Sequence, residues 1–240
     1  MCFEKTLSKK EKAIKEHLLI DFAIPMEYQP YYHITGFTHP NIYIIPMEEP
    51  DLVYPASWGL VPEWGMNDIP AFHKKYNTLN AKSETIFSSG TYKKSAQSQR
   101  CVILADGFFE PQKNQGVSIP HFCYIPSKEF EDGRDLFMFA GLYTELDDEL
   151  YTASIITMPA NDFFAEIHNV KKRQPLVLAE DLIDEWFNDR MDEKNLTELM
   201  KHGFTAKEFK AHPVTRDLYK RGVNTNHEHI LQPVPKETLF

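Results

Sequence analysis

Apolar residues recur with a helical period near the start of the chain and with a strand-like period after it. Ile14, Leu18 and Phe22 are spaced four apart behind a Ser-Lys-Lys-Glu capping box, which predicts an amphipathic helix over residues 9–23. Runs of aromatic and β-branched residues then predict strands over residues 31–46, 100–105, 121–126, 135–143 and 150–157. Short turns separate several of these runs, so we expect mainly antiparallel pairing.

Two asparagines stand where helices are predicted to begin. Asn161 precedes an apolar segment that ends at His168, and Asn80 precedes a shorter one that continues to Phe87. Asparagine is a common N-cap because its side-chain oxygen accepts a hydrogen bond from the first helical turn. We therefore expect both residues to cap helices.

The remaining pattern predicts a single α+β domain. Helices are expected over residues 179–187 and 193–202, followed by an irregular segment with one strand over residues 204–223. No repeat and no Gly/Ser-rich linker divides the chain, so residues 1–224 are assigned to one domain and residues 225–240 to a C-terminal extension. The His-Glu-His triplet of this extension lacks further spaced ligands, so no metal site is expected.

Composition excludes several classes of protein. With 240 residues, of which 42% are hydrophobic, the chain can bury a sizeable core. Its net charge of -9 argues against broad, non-specific binding of nucleic acid but allows a local basic groove. We find neither a stretch of roughly 20 apolar residues nor a signal peptide, so no membrane partner is expected. Phosphate-binding glycine loops, serine-hydrolase elbows and zinc-protease helices are missing, so no cofactor is expected.

The cysteines indicate a reducing compartment. Cys2, Cys101 and Cys123 have neither the number nor the spacing of a disulfide framework or a metal-binding motif. We therefore expect a cytoplasmic protein. Cys101 and Cys123 lie in strand-like apolar runs and are predicted to be buried packing residues.

Cys2 offers the most distinctive chemistry in the chain. Removal of Met1 would leave Cys2 with an α-amine and a thiol on neighbouring carbons. The amine has a pKa of roughly 7.7–8.0 and the thiol a pKa of about 8.5 when unperturbed, so both are nucleophiles near neutral pH. With an aldehyde, the amine forms a Schiff base, and the thiol then closes a thiazolidine ring. Most cysteines at this position have no such role, so the rest of the sequence must decide.

Two further features have more than one interpretation. Trp58 and Trp64 flank a rigid apolar segment that is either a loop at the edge of the core or a platform for stacking bases. Glu110 follows two phenylalanines at the end of an apolar strand, where it is either exposed or a desolvated acid with a raised pKa. The two segments alone leave these alternatives open.

Several motifs occur in a fixed order from residue 2 to about residue 224: the Met-Cys start, WGLVPEW, NAKSET, RCVILADGFFEP, AN followed by IH, RQPLVL, and late PVT and VN pairs. Together they resemble the SRAP family, the SOS response-associated peptidases or abasic-site-processing proteins. The resemblance implies a β-barrel-like core flanked by helices. It also implies recognition of abasic sites in single-stranded DNA, a thiazolidine crosslink through Cys2, and association with the nucleoid when damaged DNA is bound. No obligatory protein partner is inferred.

The resemblance also implies roles for particular residues. Cys2 would trap the sugar aldehyde, and Asn80 would orient the amine or hold the sugar oxygens. Glu110 and His168 would move protons during opening of the sugar ring and loss of water. The same groups would support lyase activity and self-removal of Met1. The residues expected to contact DNA are Trp58, Trp64, Lys82 and Arg173.

The chain departs from the family pattern beside the reactive end. Phe3 and Glu4 stand where a glycine and a phosphate-facing arginine are usual, so we expect weaker DNA binding there. Pro111 replaces the tryptophan after the glutamate, and the basic loop between His168 and RQP is longer than usual. The last two changes are expected to alter packing more than chemistry.

Two other functions are compatible with the residues. One is a thiol peptidase or amidohydrolase that uses Cys2 with His168 as base on other substrates. The other is a non-enzymatic protein that binds single-stranded DNA and in which Cys2 is idle. Acyl transfer from a peptide would indicate the first. Equal retention of intact and abasic strands would indicate the second.

Overall fold

The computed structural model describes residues 2–147 and 150–235. Met1, whose removal the predicted chemistry of Cys2 requires, lies outside these ranges, as do residues 236–240 of the predicted extension. Among the described residues, no helix is both long enough and apolar enough to cross a membrane.

Strands and short helices alternate along the chain. The strands are β1 (Glu4–Leu7), β2 (Asp21–Phe22), β3 (Tyr31–Thr35), β4 (Asn41–Pro46), β5 (Leu52–Trp58), β6 (Asn80–Lys82), β7 (Arg100–Ala105), β8 (Gly107–Asn114), β9 (Val117–Tyr124), β10 (Phe137–Asp147), β11 (Leu150–Pro159), β12 (Arg173–Pro175) and β13 (Lys210–Pro213). The α-helices are α1 (Glu11–Leu18), α2 (Ile69–Lys75), α3 (Lys93–Ser98), α4 (Asp162–Ile167), α5 (Ile183–Phe187) and α6 (Glu193–His202).

Five strands close into a barrel in the order β11-β10-β7-β4-β5. The first four contacts are antiparallel, and a parallel pair between β5 and β11 completes the ring. Closure leaves no unpaired edge between these strands. Ile44, Ile103 and Phe139 lie among the buried apolar residues that these strands contribute. This arrangement confirms the predicted α+β class with a barrel-like core, whereas the parallel pairs were not foreseen.

A second, five-stranded antiparallel sheet contains β1, the strand that follows Cys2. Its strand order is β13-β9-β8-β1-β3. In β1, Glu4 lies opposite Phe109 of β8, so the chain before Glu4 runs alongside the part of β8 that follows Phe109. This register brings Cys2 into the neighbourhood of Glu110.

The first helix is shorter than predicted. α1 ends at Leu18 because Leu19 adopts a left-handed conformation with a φ of 57°. Phe22, expected on the helix, instead lies in β2 opposite Val53 of β5. Ser8 does not cap the helix, because its hydroxyl donates to the buried carboxylate of Asp106 at 2.5 Å.

The two predicted asparagine caps have different outcomes. Asn161 caps α4 as expected, and its side-chain oxygen accepts from the backbone N–H of Phe164 at 3.0 Å. Asn80 does not cap a helix. It begins strand β6, where it pairs in parallel with Ile155 of β11. Because its backbone is held by the sheet, its amide side chain is available for another contact.

The chain after Asn224 packs on the five-stranded sheet. Ile230 and Leu231 are buried in a cluster with Phe109 and Phe122 of that sheet. The backbone N–H of Val234 also donates to the carbonyl of Pro213 at 3.0 Å. The predicted boundary at residue 224 thus falls between two segments that cover the same sheet.

Candidate active site

Cys2 lies in a buried position directly before β1. Its side chain is fully buried, and its Sγ contacts the carbonyl oxygen of Glu4 at 3.8 Å. Asn80 donates from Nδ2 to the carbonyl oxygen of Cys2 at 2.9 Å. Burial, with a further contribution from the charge of Glu110, raises the pKa of the Cys2 thiol. The sulfur is therefore held in its neutral form, and its activation requires a nearby base.

Glu110 supplies a buried carboxyl group close to Cys2, and its pKa is raised. It lies one residue beyond Phe109 in β8 and is fully buried. Burial raises its pKa to about 7, because removal from water penalises the charged carboxylate. A carboxyl group with this pKa is present in both protonation states at neutral pH, so it can both accept and donate a proton. Of the two interpretations of Glu110, the desolvated acid is therefore confirmed.

His168 is held beside Glu110 by the end of α4. Its Nδ1 lies 3.2 Å from Oε2 of Glu110 and 3.0 Å from the carbonyl oxygen of Arg173. Burial lowers the pKa of the imidazole to about 4, so the ring is neutral at pH 7. The carbonyl oxygen of Arg173 can only accept a hydrogen bond, which assigns the ring proton to Nδ1 and leaves the lone pair on Nε2. His168 can thus accept a proton through Nε2 while Glu110 and Arg173 orient it.

Asn80 has a second polar atom at the same place. Its Oδ1 is buried, and among the described residues it has no hydrogen-bond partner. An unpaired buried carbonyl oxygen is costly, and such groups are frequently kept for a ligand. An amine or a sugar hydroxyl beside Cys2 would be a suitable donor.

Two adjoining clefts lie beside these residues, and His168 lines one of them. The aromatic cleft has a volume of about 340 Å³. Its lining consists of Phe3, Glu4, Phe37, Phe109, Pro111, Ser118 and Tyr219. The basic cleft, of about 210 Å³, contains Lys113, His168 and Lys171. The two share Phe3, Pro111 and Ser118 and therefore form one continuous groove along the reactive end.

Comparison with known proteins identifies the family. Residues 1–221 match the family model described as SOS response associated peptidase (SRAP). The chain belongs to the SRAP family. The resemblance inferred from the sequence motifs is thereby confirmed.

Similar proteins match this SRAP chain over most of its length. The abasic site processing protein YoqW of Bacillus subtilis is 28% identical over 221 residues, which cover 90% of this chain and 92% of the relative. The abasic site processing protein HMCES of Gallus gallus is 32% identical over 203 residues, covering 75% of this chain and 58% of the relative. A crystal structure of a protein from Bacteroides thetaiotaomicron has a TM-score of 0.82 at 25% identity, covering 98% of this chain and 100% of that one.

The predicted catalytic residues of the SRAP chain converge in two directly bonded pairs. Asn80 holds the backbone of Cys2, and Glu110 contacts His168. The charge of Glu110 also contributes to the raised pKa of Cys2, which reflects the closeness of the two pairs. Their chemical roles remain predictions.

The two tryptophans of WGLVPEW separate into different environments. Trp58 is fully buried in the barrel and donates from Nε1 to the carbonyl oxygen of Leu79 at 3.0 Å. Its predicted contact with DNA bases is therefore wrong, because no face of its indole reaches solvent. Trp64 is 55% exposed and packs edge-on against Phe72 and Tyr76, so it remains available for stacking.

Lys82 and Arg173, the two basic residues predicted to contact DNA, differ in exposure. Lys82 is exposed at the end of β6. Arg173 in β12 is largely covered and forms a two-point ion pair with Glu84, with distances of 2.6 and 2.9 Å. It also donates to the carbonyl oxygen of Thr157 at 2.6 Å. A phosphate would have to replace Glu84 as the partner of Arg173.

Sequence reasoning missed a carboxyl–imidazole pair, formed by Glu4 in the wall of the aromatic cleft and the buried His33 behind it. Glu4 has a pKa raised to about 8 by burial and by the charge of Glu110. Nε2 of His33 lies 4.0 Å from Oε1 of Glu4, and Nδ1 of His33 lies 2.7 Å from the hydroxyl of Thr225. The signal was the alternation in β3, which places His33 on the same side as the buried Tyr31.

A buried lysine was also missed. Lys5 is fully buried and donates to the hydroxyl of Tyr31 at 2.8 Å and to the carbonyl of Leu104 at 2.5 Å. Burial lowers the pKa of its amine to about 7. The polar segment around Lys5 in the sequence gives no indication of this burial.

One group among the described residues has the donor spacing of a metal site. His17, Glu129 and Asp135 have potential ligand atoms within 4.8 Å of one another. The ammonium of Lys207 lies 2.8 Å from Oδ2 of Asp135 and already neutralises that carboxylate. The group is better explained as an ion-pair network than as a cation site.

Proposed function

We propose that this SRAP protein recognises abasic sites in single-stranded DNA and traps them through Cys2 once Met1 has been removed. The proposal rests chiefly on one observation: Cys2, bonded to Asn80, lies beside the buried Glu110–His168 pair at a groove. Processing of abasic sites by relatives such as YoqW and HMCES, as their names state, supports the same target.

The first chemical task is to open the sugar ring. An abasic deoxyribose is mostly a closed hemiacetal, so an aldehyde forms only when the C1 hydroxyl loses a proton and the ring oxygen gains one. Nε2 of His168 is suited to accept the first proton because the imidazole is neutral. Glu110 in its protonated form is suited to supply the second.

The second task is condensation with Cys2. The α-amine adds to the aldehyde carbon to form a carbinolamine, and loss of one water gives the imine. The protonated carboxyl of Glu110 aids the departure of that water. The thiol then adds to the imine carbon while its proton passes to the imine nitrogen, which closes the thiazolidine. The net change is the loss of one water.

Asn80 is assigned a positioning role. Its Nδ2 fixes the backbone of Cys2, and its buried Oδ1 can accept from the α-amine or from a sugar hydroxyl. Holding the two reactants together raises their effective concentration, by up to about 10⁵ M or more for well-oriented groups. A slow condensation between amine and aldehyde becomes fast under such conditions.

The same groups can support accessory reactions. Proton removal next to the imine would cause β-elimination and strand cleavage, which is a lyase activity, and the reverse steps would release the crosslink. Attack of the Cys2 thiol on the carbonyl carbon of Met1, with Glu110 or His168 as base, would transfer the Met1 acyl group from nitrogen, which leaves as the free α-amine, to sulfur. Water would then hydrolyse this thioester and release Met1. We include both activities in the proposal.

The DNA backbone is expected to follow the basic side of the groove. Lys113 and Lys171 line the cleft that contains His168, and Lys82 is exposed on β6. Lysines contact phosphates without regard to sequence, whereas the exposed Trp64 can stack on a base. This local distribution is compatible with the negative net charge of the chain.

Intact mass measurement tests the proposal directly. The purified protein is measured before and after incubation with a single strand that contains one abasic site. We expect a mass without Met1 and an adduct equal to protein plus DNA minus one water. An adduct that is absent although Met1 is gone would overturn the trapping function and favour a thiol peptidase or a DNA-binding scaffold.

A further inference from the structure

The aromatic cleft is unlike the rest of the groove. It lies beside Cys2 but holds none of the lysines or the histidine of the basic cleft. The lysines and the histidine of the basic cleft suit phosphates and a sugar. The apolar rings of the aromatic cleft suit a different part of the ligand. Its position is close to the reactive end, since Phe3 and Glu4 follow Cys2 in the chain and two residues span at most about 7 Å.

The walls of the aromatic cleft present exposed rings. Phe3 and Phe37 have centroids 5.0 Å apart and planes at 40°. Phe37 is 61% exposed and Tyr219 is 40% exposed, although both are large apolar side chains. Flat π-faces left open in a groove are the surfaces on which unpaired bases stack.

Glu4 gives this apolar cleft one polar group. Its side chain is 15% exposed, and the raised pKa of about 8 keeps the carboxyl protonated at neutral pH. A neutral carboxyl offers an O–H donor next to a C=O acceptor. Bases turned out of a stack are recognised through adjacent donors and acceptors on their Watson–Crick edge. The neutral form also avoids repulsion from the phosphates.

We propose that the aromatic cleft binds the base of the nucleotide next to the abasic sugar, with Phe37 stacking on the base and Glu4 bonding to its edge. This inference rests on the proposed function for the identity of the DNA. When the abasic sugar lies at Cys2 and its phosphates at Lys113 and Lys171, the neighbouring nucleotide is the part of the strand that can enter the cleft. Phe3 lines both clefts and therefore lies between the two positions.

Equilibrium binding of strands that cannot react tests the cleft independently of crosslinking. The probes are fluorescent single strands with one tetrahydrofuran spacer, which lacks both base and aldehyde, flanked either by adenine nucleotides or by a second spacer on its 5′ or 3′ side. We expect removal of the base on one side to weaken binding by about 5- to 150-fold. Removal of the base on the other side should have a much smaller effect.

Variants of the cleft identify the residues responsible. In Phe37→Ala, the ratio between base-flanked and spacer-flanked affinity should fall towards one, and folding should be unaffected because the ring is exposed. Glu4→Gln should keep most of the ratio, since the amide retains a donor and an acceptor, whereas Glu4→Ala should reduce it. Met26→Ala, at an exposed residue away from the groove, is the matched control.

The possible results separate this inference from the proposed function. Equal affinity for base-flanked and spacer-flanked strands, or a ratio that Phe37→Ala leaves unchanged, would overturn the base pocket. A preserved ratio in a protein that forms no adduct with true abasic DNA would support the pocket and refute the trap. Dependence on both the base and Phe37, together with an adduct, would support both.

Discussion

At the scale of single residues, Glu110 combines burial with a pKa of about 7. We propose that its proton assists loss of water, and this acidic form is present below pH 7 and lost as pH rises through 7. The crosslinking rate should therefore decline above about pH 7, although more of the α-amine becomes unprotonated there. Glu110→Gln should lower the maximum rate by about 10²- to 10⁴-fold and remove this decline in single-turnover measurements.

Stability provides the control for the Glu110→Gln variant. Ionisation costs the folded state more than the unfolded chain because the folded pKa is raised from 4.5 to about 7. The cost develops between these pH values and is fully present above pH 7, where it is about 3 kcal/mol. Glu110→Gln should therefore be at least as stable as the parent at pH 8. A slower variant that is also partly unfolded would not support a chemical role.

The identity of Cys2 decides whether the trap can close. Cys2→Ser and Cys2→Ala keep an α-amine but lack the thiol, so they should form at most a reversible Schiff base with abasic DNA. Denaturing electrophoresis after heating should show an adduct for the parent and none for either variant. Cys101→Ala is a matched control, because Cys101 is also buried but lies in the barrel. A heat-stable adduct from Cys2→Ala would exclude the thiazolidine.

The environment of a single side chain could be predicted from the sequence only where neighbouring residues in the chain determine it. The family resemblance assigned Asn80 to the site, whereas the local pattern predicted a helix cap that the structure does not contain. Its contact with Cys2 joins residues that are distant in the chain, so no local pattern reports it. The alternation of buried residues along β5 would have shown that Trp58 points inward, as Ala56 does. Trp64 lies beyond Pro62, after the end of β5, so this alternation does not apply to it. The burial of Lys5 depends on neighbours from other strands, and no local pattern reports it.

At the scale of elements, an ion pair joins Arg173 of β12 to Glu84 in the segment after β6. Arg173 is bound by Glu84 in the described structure and must exchange this partner to contact a phosphate. Glu84→Gln should therefore strengthen binding of single-stranded DNA by about 2- to 5-fold, since Glu84 is half exposed and solvent screens its charge. Fluorescence anisotropy at several salt concentrations measures the change.

A matched variant separates this local effect from the general loss of a negative charge. Glu16→Gln removes an exposed carboxylate that pairs with Lys12 on α1 and should leave DNA affinity nearly unchanged. The prediction fails if Glu84→Gln and Glu16→Gln have the same effect. It also fails if Glu84→Gln binds DNA more weakly than the parent.

Another element-scale contact joins the barrel to two helices. Arg100, fully buried at the start of β7, donates to the backbone carbonyls of Ala96, Gln97, Trp186 and Asn188 at the ends of α3 and α5. A planar guanidinium can reach these acceptors together, whereas an ammonium cannot. Arg100→Lys should lower the free energy of unfolding by about 3 kcal/mol, measured with urea. The exposed Arg190→Lys should have little effect.

The elements themselves were predictable where their hydrophobic period was unbroken. β7 matches its predicted range, and α4 begins after its predicted cap. α1 was overextended because Phe22 continues the four-residue spacing although the chain already turns at Leu19. The parallel pair that closes the barrel joins β5 to β11, and such a distant pairing depends on tertiary geometry rather than on local pattern.

At the scale of the whole molecule, the segment after Asn224 packs on the five-stranded sheet whose strand β1 follows Cys2. Ile230 and Leu231 are buried against Phe109, the neighbour of Glu110 in β8. Thr225 is bonded to His33, which in turn lies near Glu4. The segment therefore supports Phe109 and Glu4, two residues that also line the aromatic cleft.

Removal of residues 224–240 should consequently reduce both stability and trapping. Loss of this cover exposes the buried faces of Phe109 and Phe122, and the smaller change Ile230→Ala alone should cost about 2–5 kcal/mol. Each kcal/mol lowers the melting temperature of a domain of this size by about 2–4 °C. His229→Ala, at an exposed residue of the same segment, should leave the melting temperature unchanged. A truncated protein with the parent's melting temperature and crosslinking rate would show that the sheet holds Glu110 in place without this cover.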